Sequence, residues 1–205
     1  MDPFSEFATT KSIVIDQKSD PLESCCKMCG CCCVDMTNIY NIVLPQGVRM
    51  QAKEHSGKFS RCCCNPNHEL QLGLKTFDGN HLGEKEILQI FKPFKCCCPA
   101  VCPCCRKEIT VSKTMPEHEV IGFVQQPWCA GIFTPKLAIF EKEGATEQLG
   151  EIVGPCCCIA GCCSSDFEVN DNKGQKIATI KRQGASKNGI KRALLTDADK
   201  YNIDF

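Results

Sequence analysis

The chain has 205 residues, including 21 cysteines, and carries 24 basic and 24 acidic side chains. Balanced charge excludes a strong whole-chain attraction to nucleic acid or to an anionic surface, and the length suits one domain with a tail. The opening residues MDPFSEF lack the basic and apolar segments of a signal peptide. Asp2 excludes N-myristoylation. Together with the odd cysteine count, these features favour a reducing cytosol.

Residues 1–36 are predicted to form a flexible, cysteine-rich tail, and residues 37–205 to form one domain. The domain consists of short runs of apolar or alternating apolar and polar residues, separated by turn signals. The runs span residues 39–44, 48–52, 70–74, 87–91, 109–111, 120–125, 137–140, 167–169 and 176–180. Such runs at near-regular spacing predict an all-β barrel or sandwich with little helix. No stretch approaches the roughly 18 to 20 apolar residues that a membrane-spanning helix needs.

Part of this pattern repeats along the chain. One unit starts at Phe94-Lys95-CCC, a second starts at Gly154-Pro155-CCC, and Arg61-CCC begins a weaker third copy. Each unit reads as a strand, a cysteine loop, a strand, a turn and a strand. Two similar halves that close one barrel would explain the repeat, and they would gather the cysteine loops at one end.

The cysteines occur in packed runs, and adjacent cysteines are poor disulfide partners because their side chains diverge. The runs therefore offer groups of thiols to acyl chains or to metal. The most specific run contains Cys96, Cys97, Cys98, Cys102, Cys104 and Cys105. Prolines, Phe94 and the cations Lys95, Arg106 and Lys107 flank this run, which favours covalent palmitate beside anionic headgroups. The alternative is a Cys₄ zinc site, which the spacing of the run fits only loosely.

Two further segments carry charged side chains in suggestive patterns. Asp197 and Asp199 lie two residues apart, so they can face one calcium ion, and Asp204 is a third candidate ligand. The alternative is a turn or a helix N-cap. The second segment is a basic stretch, which suits an anionic-lipid patch, a nuclear import signal or nucleic-acid binding, or simply a solvated strand and loop. It contains Lys173, Lys176, Lys181, Arg182, Lys187, Lys191 and Arg192.

Taken together, the motifs over about residues 38–205 resemble those of the phospholipid scramblase family. They are Asn41–Leu44 with the following Pro-Gln-Gly turn, Arg61-CCC, Lys92-Pro93-Phe94-Lys95-CCC with CPCC, Ile121–Gln126 with Trp128, Gly154-Pro155-CCC, Lys176–Lys181 and Thr196–Ile203. The resemblance implies a tubby-like, closed antiparallel barrel of twelve strands around a central C-terminal helix that this chain lacks. It also implies palmitoylation within Cys96–Cys105, a calcium-binding segment that starts at Asp197, and an import signal that overlaps the basic stretch.

The activity that the resemblance implies is calcium-activated, energy-independent exchange of phospholipids between leaflets, by a protein that is not an enzyme. The expected location is the cytoplasmic face of the plasma membrane, against the anionic inner leaflet, or the nucleus when the chain is not acylated. Scrambling would require a homo-oligomer or a membrane partner, because no segment could line a polar path through the bilayer. The alternative function is a zinc-binding or lipid-binding adaptor with a signalling or nuclear role, whose partners include an import receptor or nucleic acid.

Overall fold

The computed structural model describes residues 7, 9–18, 37–55, 68–95, 105–128, 134–155, 166–182 and 200–205. These residues form thirteen strands. The strands are β1 (Ser12–Lys18), β2 (Ile39–Val43), β3 (Arg49–Glu54), β4 (Leu70–Asp78), β5 (His81–Leu82), β6 (Leu88–Lys92), β7 (Glu108–Lys113), β8 (Glu119–Gln125), β9 (Lys136–Phe140), β10 (Gln148–Val153), β11 (Asp166–Asp171), β12 (Lys176–Arg182) and β13 (Lys200–Asp204). The all-β prediction is confirmed.

The strands close into an up-and-down barrel. Every strand pair is antiparallel, neighbours in the sheet follow chain order, and β13 pairs with β1. The two-residue strand β5 pairs with β4 as a side hairpin, and β4 continues the main sheet through β6. Twelve strands therefore complete the ring, as predicted, and closure leaves none of them as an open edge. The two predicted repeat units correspond to β6–β8 and β10–β12.

Strand β1 corrects the predicted domain boundary. It lies inside the region 1–36 that the sequence predicted to be a tail, yet it pairs with both β2 and β13. Ile13 is buried, and Ile15, two residues later, points to the same side of the strand. The barrel needs this strand because without it β2 and β13 would both be open edges.

One face of the closed sheet is apolar on all twelve strands of the ring. Residues directly opposite each other in register share a face, so the pairings can be followed from strand to strand around the barrel. The apolar face includes Ile13, Tyr40, Met50, Leu74, Leu88, Val111, Val124, Ile139, Ile152, Val169, Ile180 and Ile203. The other face is mainly polar, so the apolar face lines the interior. The main buried cluster joins Leu44, Met50, Ala52, Leu74 and Ile87.

A buried carboxylate ties four strands together at one end of the barrel. The side chain of Glu54, at the end of β3, is fully buried. Its Oε2 accepts a hydrogen bond of 2.7 Å from Nδ2 of Asn38, and its Oε1 lies 3.7 Å from Nε2 of His68. Asn38 in turn accepts a 2.8 Å hydrogen bond from Gln17 at the end of β1. The hydrogen bond to Oε2 offsets part of the cost of removing this carboxylate from water.

Lys92, at the end of β6, interacts electrostatically with the same carboxylate. Burial lowers the pKa of Lys92, and the positive charge of nearby Lys107 lowers this pKa further. The negative charge of Glu54 acts in the opposite direction and raises it. Glu54 thus supports the charged form of a lysine that its surroundings disfavour.

Replacement of Glu54 by alanine is expected to lower the free energy of unfolding by about 3 kcal/mol, because Asn38 loses its acceptor and Lys92 loses its compensating charge. Urea unfolding followed by circular dichroism would measure the loss. Glu69→Ala is the matched control, since Glu69 is exposed and lies close by at the start of β4. Equal, small effects of the two substitutions would show that the buried network contributes little to stability.

Candidate functional site

The connections that contain cysteine all leave and rejoin the barrel at one end. In an up-and-down barrel, successive connections alternate between the two ends. The cysteines lie in the connections that follow β1, β3, β6, β8 and β10, which fall on the same side of this alternation. The connection that follows β12, which holds Asp197 and Asp199, falls there too. The internal repeat predicted this gathering of cysteine loops.

We call this end the cysteine rim, and the other end the opposite rim. Each consists of the described connecting residues at that end and the two residues of each adjoining strand. Of the cysteines in the chain, only Cys105 is among the described residues, where it forms no disulfide. The remaining predicted acylation sites, Cys96, Cys97, Cys98, Cys102 and Cys104, lie outside the described residues, as do Asp197 and Asp199.

Charge is separated along the barrel axis. Among the described residues, the cysteine rim has ten basic side chains: Lys18, Lys53, Lys92, Lys95, Arg106, Lys107, Lys136, Lys181, Arg182 and Lys200. Its four acidic side chains are Glu54, Glu69, Glu108 and Asp166. The opposite rim has ten acidic and seven basic side chains in its described part, although two of these acids, Glu86 and Asp204, form ion pairs with His55 and Lys181 of the cysteine rim. The zero net charge of the chain therefore conceals a cationic end that attracts anionic surfaces.

Several of these cations cannot be recognised as a group from the sequence. Lys53, Lys136 and Lys200 are isolated in the chain and belong to no basic stretch. They meet at one end only because their strands alternate in direction. Only their positions could have identified these three lysines as a group. Each lies at the end of a strand that adjoins a cysteine-containing or aspartate-containing connection.

Two aromatic side chains add an amphipathic element to the cysteine rim. Phe94 follows β6 and Trp128 follows β8, and each is about half exposed. Large aromatic rings of this kind favour the boundary between water and hydrocarbon. Phe94 also lies between Lys92 and Lys95 in the chain. Cations and rings thus occur together, which is the pattern of a surface that rests against lipid headgroups.

An ion pair joins the two ends of the connection that contains the most specific cysteine run, Cys96–Cys105. Nζ of Lys95 lies 2.7 Å from Oε1 of Glu108, and both side chains are mostly buried. Lys95 directly precedes Cys96, and Glu108 begins β7 just after Cys105. Gln125 of β8 donates a weaker 3.5 Å hydrogen bond to Oε2 of the same glutamate. The two ends of the connection are therefore held to three neighbouring strands.

Cys105 differs from the setting expected for an acylated thiol. Cys105 is only 3 % exposed and lies at the end of the connection, three residues before β7 begins. An acyltransferase needs access to the thiolate, so burial protects this sulfur from modification. Cys105 is therefore a poor candidate for acylation.

The predicted basic stretch does not form a single patch. Lys173 and Lys176 lie at the opposite rim, whereas Lys181 and Arg182 lie at the cysteine rim, since the extended strand β12 separates them. Nζ of Lys176 pairs with Glu168 at 3.0 Å, and Nζ of Lys181 pairs with Asp204 at the same distance. The hydrogen bond from Lys181 to Asp204, with the attraction between their charges, raises the pKa of Lys181. Lys187, Lys191 and Arg192 lie outside the described residues.

Asp204 is poorly placed to act as a third calcium ligand. It ends β13, about 13 Å along the strand from Lys200, and its carboxylate already engages Lys181. The connection that holds Asp197 and Asp199 joins β13 at the other end. Within the described part of the chain, no three His, Cys, Asp or Glu side chains come together as metal ligands. Over the same residues, no helix has the length and hydrophobicity to cross a bilayer.

Comparison with known proteins agrees with these features. Human phospholipid scramblase 1 is 30% identical over 174 residues, which are 83% of this chain and 50% of that protein. Phospholipid scramblase 4 of mouse and of human is 33% and 34% identical over 127 residues, or 59% of this chain. The chain thus spans half the length of the first relative and about a third of the others. No solved structure matches it. The family model described as Scramblase matches residues 4–205, so the chain belongs to the scramblase family.

Proposed function

We propose that this protein moves phospholipids in both directions between membrane leaflets, dependent on calcium and independent of ATP. Palmitoylated cysteines attach it to the cytoplasmic face of the plasma membrane. The observation that carries the proposal is the cysteine rim, where a cationic surface, exposed aromatic rings and every cysteine-containing connection share one end of the barrel. Family membership supports the lipid substrate.

In this proposal the barrel stands with its cysteine rim against the anionic inner leaflet. Each basic side chain near such a surface contributes about 1 kcal/mol of attraction. One acyl chain gives only marginal binding, whereas two or more hold a protein stably. The rim therefore orients the barrel, and the acyl chains keep it there. A lipid-binding adaptor would dock in the same way without moving lipid.

The step that scrambling accelerates is the passage of a polar headgroup through hydrocarbon, which is slow because an unsolvated polar or charged group costs several kcal/mol. No bond is made or broken. Acyl chains and cations concentrated under one barrel would disturb the packing of a leaflet locally. A second copy or a membrane partner would complete the polar path.

Calcium enters the proposal through Asp197 and Asp199, whose connection joins the barrel at the cysteine rim. Two carboxylates satisfy only part of the six to eight oxygen ligands that calcium takes. Lipid phosphate oxygens and water would fill the remaining positions. Calcium would then add positive charge where the headgroups are, and its affinity in the absence of lipid would be low.

Reconstitution tests both the activity and the calcium site. We expect fluorescent phospholipid in vesicles that contain the protein to become accessible to dithionite faster when calcium is added, without ATP. Asp197→Ala with Asp199→Ala should abolish that stimulation. The same variant should lose the calorimetric calcium signal, for which we expect a Kd of about 10⁻⁴ to 10⁻³ M.

Asp204→Ala is the matched control for this pair and should retain both responses. Docking without lipid exchange would establish the adaptor function instead. A submicromolar Kd, or a calcium signal that survives in the double variant, would place the calcium site elsewhere.

Acylation of the Cys96–Cys104 thiols is tested by fractionation. Replacement of Cys96, Cys97, Cys98, Cys102 and Cys104 by alanine is expected to release the protein from membranes into the cytosol and nucleus, because too few acyl chains would remain. Cys105→Ala alone should leave the distribution unchanged, since this thiol is buried. Hydroxylamine treatment followed by mass spectrometry would count the thioesters. Membrane attachment that persists in the five-residue variant would contradict the proposal.

Charge reversal at the cysteine rim separates electrostatic docking from acylation. For the unacylated chain, Lys53→Glu, Lys136→Glu and Lys200→Glu together should weaken binding to phosphatidylserine vesicles by at least about tenfold. The loss should shrink at high salt, because screening removes the attraction being tested. The control triple Lys85→Glu, Lys142→Glu and Lys173→Glu changes net charge equally at the opposite rim. Equal losses for the two triples would show that total charge, not the rim, governs docking.

A further inference from the structure

The interior of the barrel is filled unevenly by the side chains that point into it. On the inner face, Ile13, Met50 and Leu74 are 8%, 1% and 7% exposed. Six valine and isoleucine side chains continue this face along β7 to β12, and each is only partly buried although none ends its strand. They are Val111, Val124, Ile139, Ile152, Val169 and Ile180. A side chain inside a closed wall is accessible to water only where the interior holds space, so space lies beside β7 to β12.

Gly122 shows the same space at one point of the wall. It pairs in register with Val111, so the two residues share the inner face. Apart from the adjacent residues of the chain, a Cβ atom added at Gly122 would have one described neighbour within 4 Å, the Cβ of Val111 at 3.8 Å. The inner face of this wall also contains the small residues Gly150 and Ala178. Residues without large side chains on alternate strands leave the interior wide.

The other half of the interior is packed. Leu44 and Ile87 belong to the main buried cluster, and Phe7 and Val48 pack against it. All four lie at the opposite rim, in or before the connections that adjoin β1 to β6. The Glu54 network occupies the cysteine-rim end of the same half. About eight strands are enough for side chains to fill a barrel, and the diameter grows with strand number, so twelve strands leave a chamber along β7 to β12.

The chamber suits one hydrocarbon chain. Apolar cavities of this kind exclude water and take apolar ligands. Strands β8 and β12 each have seven residues, which gives a length of about 24 Å and a height of about 18 Å at a tilt of about 40°. The acyl chains of one leaflet span roughly half of a hydrocarbon core about 30 Å thick. An extended acyl chain therefore matches the depth of the chamber.

Two lysines face inwards where this chamber meets the cysteine rim. Lys92 pairs with Leu70, on the inner face of β4 and β6. The carbonyl oxygen of Lys107 accepts a 2.8 Å hydrogen bond from the backbone N–H of Gln126, which continues the β7–β8 ladder and places Lys107 on the inner face. Burial and the charge of Lys107 lower the pKa of Lys92, and Glu54 offsets only part of this effect. An anion between the two lysines would reduce their repulsion.

The inward-facing charges differ between the two ends of the chamber. At the cysteine rim, the described charged residues on the inner face of β6 to β12 and their adjoining connections are Lys92, Lys107 and Arg182. At the opposite rim, the inner face of the same strands has Lys113, Glu119 and Asp171. An anionic head is therefore favoured at the cysteine rim, with its chain directed towards the opposite rim.

We propose that the chamber along β7 to β12 binds the hydrocarbon chain of a single-chain lipid anion, whose carboxylate or phosphate is held at the cysteine rim by Lys92 and Lys107. Hydrocarbon contacts Val111, Val124 and Val169, and removes their exposed surface from water. This binding goes beyond lipid movement, because it requires neither calcium, nor acylation, nor two leaflets. Binding in solution can therefore fail while lipid exchange in vesicles succeeds, and the reverse.

Trp128 makes the binding measurable, because it is the one tryptophan of the chain and lies at the cysteine rim. The unacylated 205-residue chain is titrated with cis-parinaric acid, a fluorescent fatty acid that absorbs where tryptophan emits. We expect Trp128 emission to fall and to saturate at about one probe per chain, as a single chamber requires. A decrease that does not saturate would overturn the proposal, since it would report adsorption to the surface.

Competitors below their micellar concentrations define the ligand. Oleate and oleoyl lysophosphatidate should both displace the probe, and the more effective of the two identifies the head as carboxylate or phosphate. Oleoyl lysophosphatidylcholine should be at least about tenfold weaker, because its head has no net charge. Inorganic phosphate should not displace the probe, since it lacks the chain. Equal displacement by the choline lipid, or displacement by phosphate alone, would overturn the proposal.

Substitutions at the mouth test the head site. Lys92→Gln with Lys107→Gln should weaken probe binding by at least about tenfold. The control pair Lys53→Gln and Lys136→Gln removes the same charge from the outer face of the same rim and should change affinity less than about twofold. Equal losses for the two pairs would assign binding to the overall charge of the rim and would contradict the proposal.

Substitutions that fill the chamber test the chain site. Gly122→Leu with Val169→Phe should weaken probe binding by at least about tenfold and leave thermal unfolding unchanged, because the new side chains occupy empty space. Gln89→Leu with Thr179→Phe adds similar bulk to the outer face and should leave binding unchanged. Undiminished binding by the filled variant would place the hydrocarbon elsewhere. A filled variant that does not fold would show that the space is already occupied, and either result would overturn the proposal.

Two further measurements test other occupants of the chamber. An apolar helical peptide that displaces the probe where oleate does not would assign the chamber to a helix and would overturn the proposal. Sedimentation velocity with and without oleate tests for a second copy of the chain. Probe binding that occurs only in a dimer would assign the site to the interface between two copies and would also overturn the proposal. Binding by the monomer, with oleate as an effective competitor, is the expected result.

Discussion

The pairing of β1 with β13 is the constraint on which the rest of the molecule depends. Because these two strands are antiparallel, like all the others, the ring contains an even number of strands and its connections alternate strictly between two ends. Features that are scattered over 205 residues therefore sort into two groups. Cysteine-containing connections and ten described basic side chains belong to one end, and the acidic turns belong to the other.

This sorting gives the barrel a direction as well as a shape. A surface with ten described basic and four described acidic side chains faces one way, and a surface with seven described basic and ten described acidic side chains faces the other. In the proposed function, such a molecule would turn in the field of a charged membrane before a covalent anchor engaged. Electrostatic docking of the barrel and attachment of its acyl chains would then both occur at the cysteine rim, so one orientation on the membrane would serve both.

Much of the fold could be predicted from the sequence, because period-two alternation and turn residues mark most strands. Strand β1 was missed because its apolar run is only three residues long, Ile13–Ile15, and lies between polar residues and a cysteine run that suggested a tail. Burial of Glu54 was equally hidden, as a lone glutamate between polar residues reads as exposed. The split of the basic stretch and the remote position of Asp204 both follow from strand direction, which only the closed sheet reveals.

Closure of the ring also constrains how the protein is made. Strand β1 leaves the ribosome well before its partner β13, because roughly 180 residues lie between them, so the seam joins segments that are far apart in the chain. Contacts between such distant segments form slowly. Until they form, β1 and β2 have open edges, and the apolar interior is accessible to other chains. A nascent chain rich in adjacent thiols would meet oxidants and acyltransferases during that interval, so the timing of ring closure would decide which sulfurs are still accessible to them.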